Sequence, residues 1–127
     1  MSDLSSEELY WEVGEIVSQF GLLDCANCAR AVLEWLDQQG VERSLLKLKT
    51  RYAFEDYILS DRLEARGIME PITENGVHYG VKVREKVFDN LSTDGLSVKE
   101  WLSDFHCPSE MFILEEMENF VGQSEVQ

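Results

Sequence analysis

The sequence predicts an α+β domain, with helices first and then a small antiparallel sheet carrying helical interruptions. Three observations predict it. Apolar residues recur at helical spacing up to Gly40, and they alternate with polar ones at 43–50 and again from Gly76. No internal repeat, low-complexity tract or inter-domain linker breaks the 127 residues. That length suits one domain with a real core and is short for two. The expectation is a single domain over 1–127, with its core from about 5 to 121 and an acidic tail after 121.

The elements follow in order. Ser5-Ser6-Glu7-Glu8 is a helix start, in which Ser5 caps and Glu8 reaches back. Leu9, Val13, Ile16 and Phe20 then mark one stripe, and Gly21 ends the helix. Asp24 is placed to cap a second helix, with Cys25, Ala29, Val32 and Leu36 along its stripe and Gly40 closing it. Residues 43–50, RSLLKLKT, alternate and read as a strand. From 51 to 74 the pattern is weak: 52–63 fits a short helix, and Pro71 opposes regular structure around it. VHYGVKV and KVFDN then form a β-hairpin turning at Arg84-Glu85, which sets Val83 opposite Lys86 and Gly80 opposite Asp89. A polar loop is expected over 91–95, and a short helix capped by Ser97 runs through Trp101 to Phe105, before Pro108. EMFILEEMENF fits a strand or a helix equally. Trp11, Trp35 and Trp101 each sit in a helical apolar pattern and are expected in the core.

Charge narrows the function classes. The net charge is −14, and all eleven basic residues lie between Arg30 and Lys99, so both ends are purely acidic. Such a chain repels phosphate backbones and anionic membranes, so neither nucleic acid nor a membrane is an expected partner, whereas a basic protein is steered toward it. The start MSDLSSEELYWEVGE has no apolar run of the signal-peptide kind, and no stretch approaches a membrane span. Three cysteines without such a leader point to free thiols in a reducing cytoplasm.

The chemistry centres on DCANC, with Cys25 and Cys28 at a helix head. A helix N-terminus favours thiolate through its unpaired N–H groups and positive dipole end, while the Asp24 carboxylate opposes it. A thiol nucleophile needs a base and the base needs an orienting group. His78 lies in the strand VHYGVKV, and the hairpin register puts Asp89 on the same face as its diagonal neighbour. Asn90 is an alternative orienting residue.

QFGLLDCANCA, NGVHYGV and VFDN together resemble the papain-fold toxin domains of bacterial polymorphic toxin systems, most closely the second such family, over roughly 16–105. The resemblance implies a papain-like core, in which a nucleophile-bearing helix packs on a small antiparallel sheet that supplies base and acid. It implies a Cys25-His78-Asp89 triad, with Gln19, six residues before Cys25, as the oxyanion donor. Cys28 is the alternative nucleophile, because in many papain proteases the second cysteine of a CxxC is the reactive one. The reaction implied is a cysteine hydrolase's, of protease or deamidase type, on a protein substrate, with delivery into another cell's cytosol and a cognate immunity protein as partner. It needs no cofactor and no metal.

Two competing readings remain. A zinc site from Cys25, Cys28, His106 and Cys107 has a good first half, but adjacent His-Cys is a poor second half. A catalytically inactive acidic interaction module of the same fold would account for the charge and the tryptophans.

Overall fold

The computed structural model describes residues 4–120. Helix α1 (Ser6–Val17) opens with the expected capping box: Ser5 Oγ accepts from Glu8 N at 3.1 Å, and Glu8 Oε1 accepts from Ser5 N at 3.0 Å. Its buried stripe is Leu9, Val13, Gly14 and Val17. Trp11 lies two residues, about 200°, around the helix from Leu9 and is therefore 67% exposed, not core. Trp35 is half-buried against the core, and Trp101 is fully buried.

Helix α2 (Cys25–Gln38) buries Cys25, Ala26, Cys28, Ala29, Val32, Leu33 and Leu36. It ends in a Schellman turn: Gly40 takes φ +69°, with Val41 N bonded to Leu36 O and Gly40 N to Asp37 O. Asp24 stands at the N-cap position, yet its side chain makes no cap bond and instead accepts from Gly21 N at 3.2 Å.

The main sheet contains β1 (Ser44–Thr50), β3 (Val77–Val83), β4 (Lys86–Asp89), β5 (Ser92–Leu96) and β7 (Phe112–Met117), antiparallel throughout and ordered β5-β4-β3-β1-β7. The hairpin has the expected register, with Val83 opposite Lys86 and Arg84 at φ +53° in the turn. Residues 91–95 were expected as loop, but most of them form edge strand β5. Its segment STDGL has no alternation to announce it, and it is held by pairing to β4 and by α1, whose Gly14 lies so close that a Cβ there would meet Thr93 O at 2.5 Å. The 110–120 segment resolves as strand β7.

Alternation divides the sheet into two faces. Leu45, Tyr79, Val81, Val83 and Phe88 face α1 and α2, and form one core with Leu9, Val13, Val32 and Leu36. Leu46, Leu48 and Val87 face the other way and are covered by the segments between the main strands. Those segments are β2 (Leu59–Ser60), α3 (Asp61–Ala65), α4 (Val98–Ser103) and β6 (Phe105–His106), with β2 and β6 paired as a separate two-stranded sheet. A helix over 52–63 is thus replaced by turns, β2 and the start of α3, because Ile58 and Leu63 are pulled individually into the second core. The helix capped by Ser97 stops at Ser103, and Phe105 is recruited into β6. The sequence after 120, including the expected acidic tail, lies outside the described residues.

Candidate active site

The head of α2 is held by the loop before it. Asn90 Nδ2 donates to Gly21 O at 2.7 Å and to Leu22 O at 2.9 Å, which ties that loop to the end of β4. Asn90 therefore fixes the approach to Cys25 and does not orient His78. Because no side chain caps α2, the first N–H groups of the helix are free of side-chain acceptors around Cys25. Cys25 is 8% exposed and lies in the wall of a cavity of about 340 Å³.

His78 comes from β3, opposite Leu48 of β1, and is fully buried. Its ring lies 5.9 Å from the Trp101 indole, nearly parallel, and 5.0 Å from Phe105. Nε2 meets Asp89 Oδ2 at 3.0 Å. Trp101 sits here because Gly80 has no side chain: a Cβ at 80 would lie 2.8 Å from Trp101 Cζ2.

Among the described residues, Asp89 is the most heavily bonded buried side chain. Besides His78 it accepts from Trp101 Nε1 at 2.8 Å and from Leu91 N at 3.1 Å. The Arg62 guanidinium grips it with both ends, Nη1 on Oδ1 at 3.0 Å and Nη2 on Oδ2 at 2.8 Å. Arg62 is itself oriented by Asp104, whose carboxylate takes its Nε and its backbone N–H, each at 2.9 Å, and which also accepts from Ser60 Oγ. The β2–β6 sheet, α3 and α4 thus assemble a scaffold behind the acid.

The electrostatics follow from these contacts. Burial pushes the Asp89 carboxyl up, but His78 and Arg62 outweigh it and hold the group well below the ordinary carboxylate range. Burial likewise pushes His78 down, and its bonds and charge interactions with Asp89 and Cys25 raise it to about 9. The Cys25 thiol is raised by burial and lowered more strongly by His78 and the Tyr79 backbone N–H, with a net shift downward. Cys28, one turn along in the core and without such partners, is pushed up to about 12, first by burial and then by the nearby acids and Cys25. The imidazole thus interacts with both groups. His78 Nδ1 nonetheless has no partner at full hydrogen-bond geometry, so the sulfur–imidazole contact is loose.

The fold brings three of the residues singled out in the sequence, Cys25, His78 and Asp89, into one connected row. Gln19 is exposed just beyond α1, and its Nε2 points back to Glu15 O at 3.4 Å. Among the described residues no group of three or more His, Cys, Asp or Glu side chains could hold a metal ion, so the zinc set does not assemble. His106 is instead exposed between Asp61 and Glu110, at 3.0 and 2.8 Å. Sequence reasoning missed Arg62, Asp104, Ser60 and the Trp101 indole N–H as members of the site. Within the described residues, no helix is long and apolar enough to cross a membrane.

A family model described as papain fold toxin 2 matches residues 8–106, a stretch that includes Cys25, His78, Asp89 and the Arg62–Asp104 clamp. No curated protein matches the chain, and no solved structure does. The α+β arrangement of a cysteine-bearing helix on a small antiparallel sheet is consistent with that match. The chain belongs to the papain fold toxin 2 family, which points to a toxin domain with cysteine-hydrolase chemistry.

Proposed function

We propose that the protein is a papain-like cysteine hydrolase acting on amide bonds of a protein substrate through Cys25, His78 and Asp89, as a bacterial toxin or effector domain. One observation carries this reading: His78 Nε2 is committed to Asp89 at 3.0 Å, which leaves Nδ1, the ring nitrogen with no full partner, for the Cys25 thiol.

In this mechanism the Cys25 thiolate attacks the carbonyl carbon, and the carbonyl π pair moves to oxygen. The backbone N–H groups at the uncapped start of α2 are donors for that oxyanion. Gln19 is the second donor once it turns away from Glu15 O. As the tetrahedral adduct collapses, the C–N bond breaks and the His78 imidazolium gives its proton to the leaving nitrogen, leaving a thioester on Cys25. His78 then takes a proton from water, whose oxygen attacks the thioester. The acid product leaves and the thiolate is restored. Asp89 holds the imidazole orientation throughout and stabilises its charged form. Peptide cleavage and glutamine deamidation differ only in the amine released. In a producing cell, a cognate immunity protein would cover this site.

The test is expression of the chain in a bacterial cytosol. The parent arrests growth, and Cys25→Ala, His78→Ala and Asp89→Asn relieve the arrest while remaining folded by circular dichroism. Arrest that persists in Cys25→Ala refutes the reading. The low exposure of Cys25 and the high exposure of Trp11 favour a second reading, an inactive acidic interaction module. Under it, iodoacetamide labels Cys25, Cys28 and Cys107 equally slowly.

A further inference from the structure

We propose that the groove leading away from Cys25 receives a polypeptide segment carrying a lysine or arginine beside the acyl group under attack. This rests on Cys25 as the nucleophile and names the substrate class of that site.

The cavity that contains Cys25 adjoins a second one of about 380 Å³, and the two share Leu23, Thr73 and Glu74 as common walls. Together they make one groove from the head of α2 past the loops around Tyr57 and Pro71. Its charge is one-sided: Glu74 stands in both cavities, Asp56 and Glu70 line the second, and neither cavity has a lysine or arginine in its wall. All three carboxylates are exposed, and none forms a salt bridge among the described residues. What distinguishes these three is position, since they line the groove that begins at Cys25 with no cation among its walls. The same walls offer apolar surface, with Leu23 53% and Tyr57 39% exposed. At the Cys25 end, the fully buried His78 holds Nδ1 without a partner behind the thiol. The groove thus joins a reactive end, an apolar wall and three unpaired negative charges. A lysine or arginine side chain complements it, since the apolar stem covers Leu23 and Tyr57 while the cationic head meets the carboxylates. A glutamate side chain is repelled.

The experiment uses three peptidyl chloromethyl ketones of equal length, with lysine, alanine or glutamate next to the reactive carbon. Labelling of Cys25 and Cys107 is followed by mass spectrometry at low salt, and each rate is divided by that of the alanyl reagent on the same thiol. In the parent, three carboxylates at groove distances give a lysyl-to-glutamyl ratio at Cys25 of about tenfold or more, and the ratio shrinks in molar salt. Cys107 has Glu110 and, through Ser109, Glu55 beside it but lies outside both cavities, so its ratio is the same in the parent and in the triple variant Asp56→Asn, Glu70→Gln, Glu74→Gln. In that variant the Cys25 ratio falls severalfold. A Cys25 ratio near one in the parent, or one unmoved by the triple variant, overturns the proposal. Failure of the nucleophile assignment looks different: alanyl labelling of Cys25 is then no faster than that of Cys107, whatever the charge ratio.

Discussion

Replacing Arg62 by methionine removes the one cation between two buried acids, and the structure sets the size of the effect. Nη1 and Nη2 hold the Asp89 oxygens at 3.0 and 2.8 Å, and Nε holds Asp104 Oδ2 at 2.9 Å. The Asp89 side chain is fully buried, that of Asp104 is 5% exposed, and Arg62 itself is only 16% exposed, so solvent screens these pairs little. Removing one partner of a buried ion pair costs about 3–5 kcal/mol, because the remaining charge is left uncompensated. Asp89 keeps its bonds from His78, Trp101 and Leu91, which places the expected loss for Arg62→Met near the lower end, about 3 kcal/mol. Arg62→Lys keeps the charge but cannot grip both acids with a planar fork, and should lose about 1–2 kcal/mol. Urea unfolding at pH 7, monitored by circular dichroism, measures both losses, with the m-value unchanged. A typical domain has about 5–15 kcal/mol in hand, so both variants should still fold. A loss below about 1 kcal/mol for Arg62→Met would refute the account of Asp89 as an acid kept ionised by a buried clamp.

Other consequences are open to measurement. With Cys28 pushed up to about 12 and Cys25 held below its ordinary value, iodoacetamide at pH 8 should label Cys25 faster by about 10²–10³-fold, as quantified by peptide mass spectrometry. Because the folded-state pKa of Asp89 is depressed, its contribution to stability is complete above the unfolded value of about 3.9 and is lost as pH falls through the folded one; urea midpoints should therefore drop in acid, and Asp89→Asn should flatten that limb. Gly80→Ala forces a Cβ to within 2.8 Å of Trp101 and 2.9 Å of Val87, and should cost about 1–3 kcal/mol in thermal or urea unfolding while displacing the indole N–H from Asp89. Asn90→Ala removes two bonds to the loop before Cys25 and should cost about 1–2 kcal/mol in urea, together with faster hydrogen exchange at 21–24.

What the sequence disclosed was what local physics decides. The Ser5–Glu8 box, the Gly40 turn and the Val83–Lys86 register each depend on residues a few positions apart, and each can be read without tertiary contacts. His78 and Asp89 were accessible for the same reason, since one hairpin joins them. The Asp24 side chain escaped because Gly21 N competes for it with the helix. The 51–74 segment escaped because Ile58, Leu63 and Ile72 are buried singly, by partners distant in the chain, with no period to betray an element. Arg62 was hidden for that reason too: its acids lie 27 and 42 residues away, and nothing near DRLEA marks it as interior. Strand β5 has its edge position and its packing on α1 to thank, neither of which leaves a pattern in STDGL.

The proton on His78 is the most direct arbiter of the row linking sulfur, ring and carboxylate. Nitrogen-15 NMR of the imidazole should find it charged at pH 7 and titrating near 9 in the parent, and at a lower value in Cys25→Ser. An imidazole neutral at pH 7, with the same titration whether or not the thiol is present, would contradict the account.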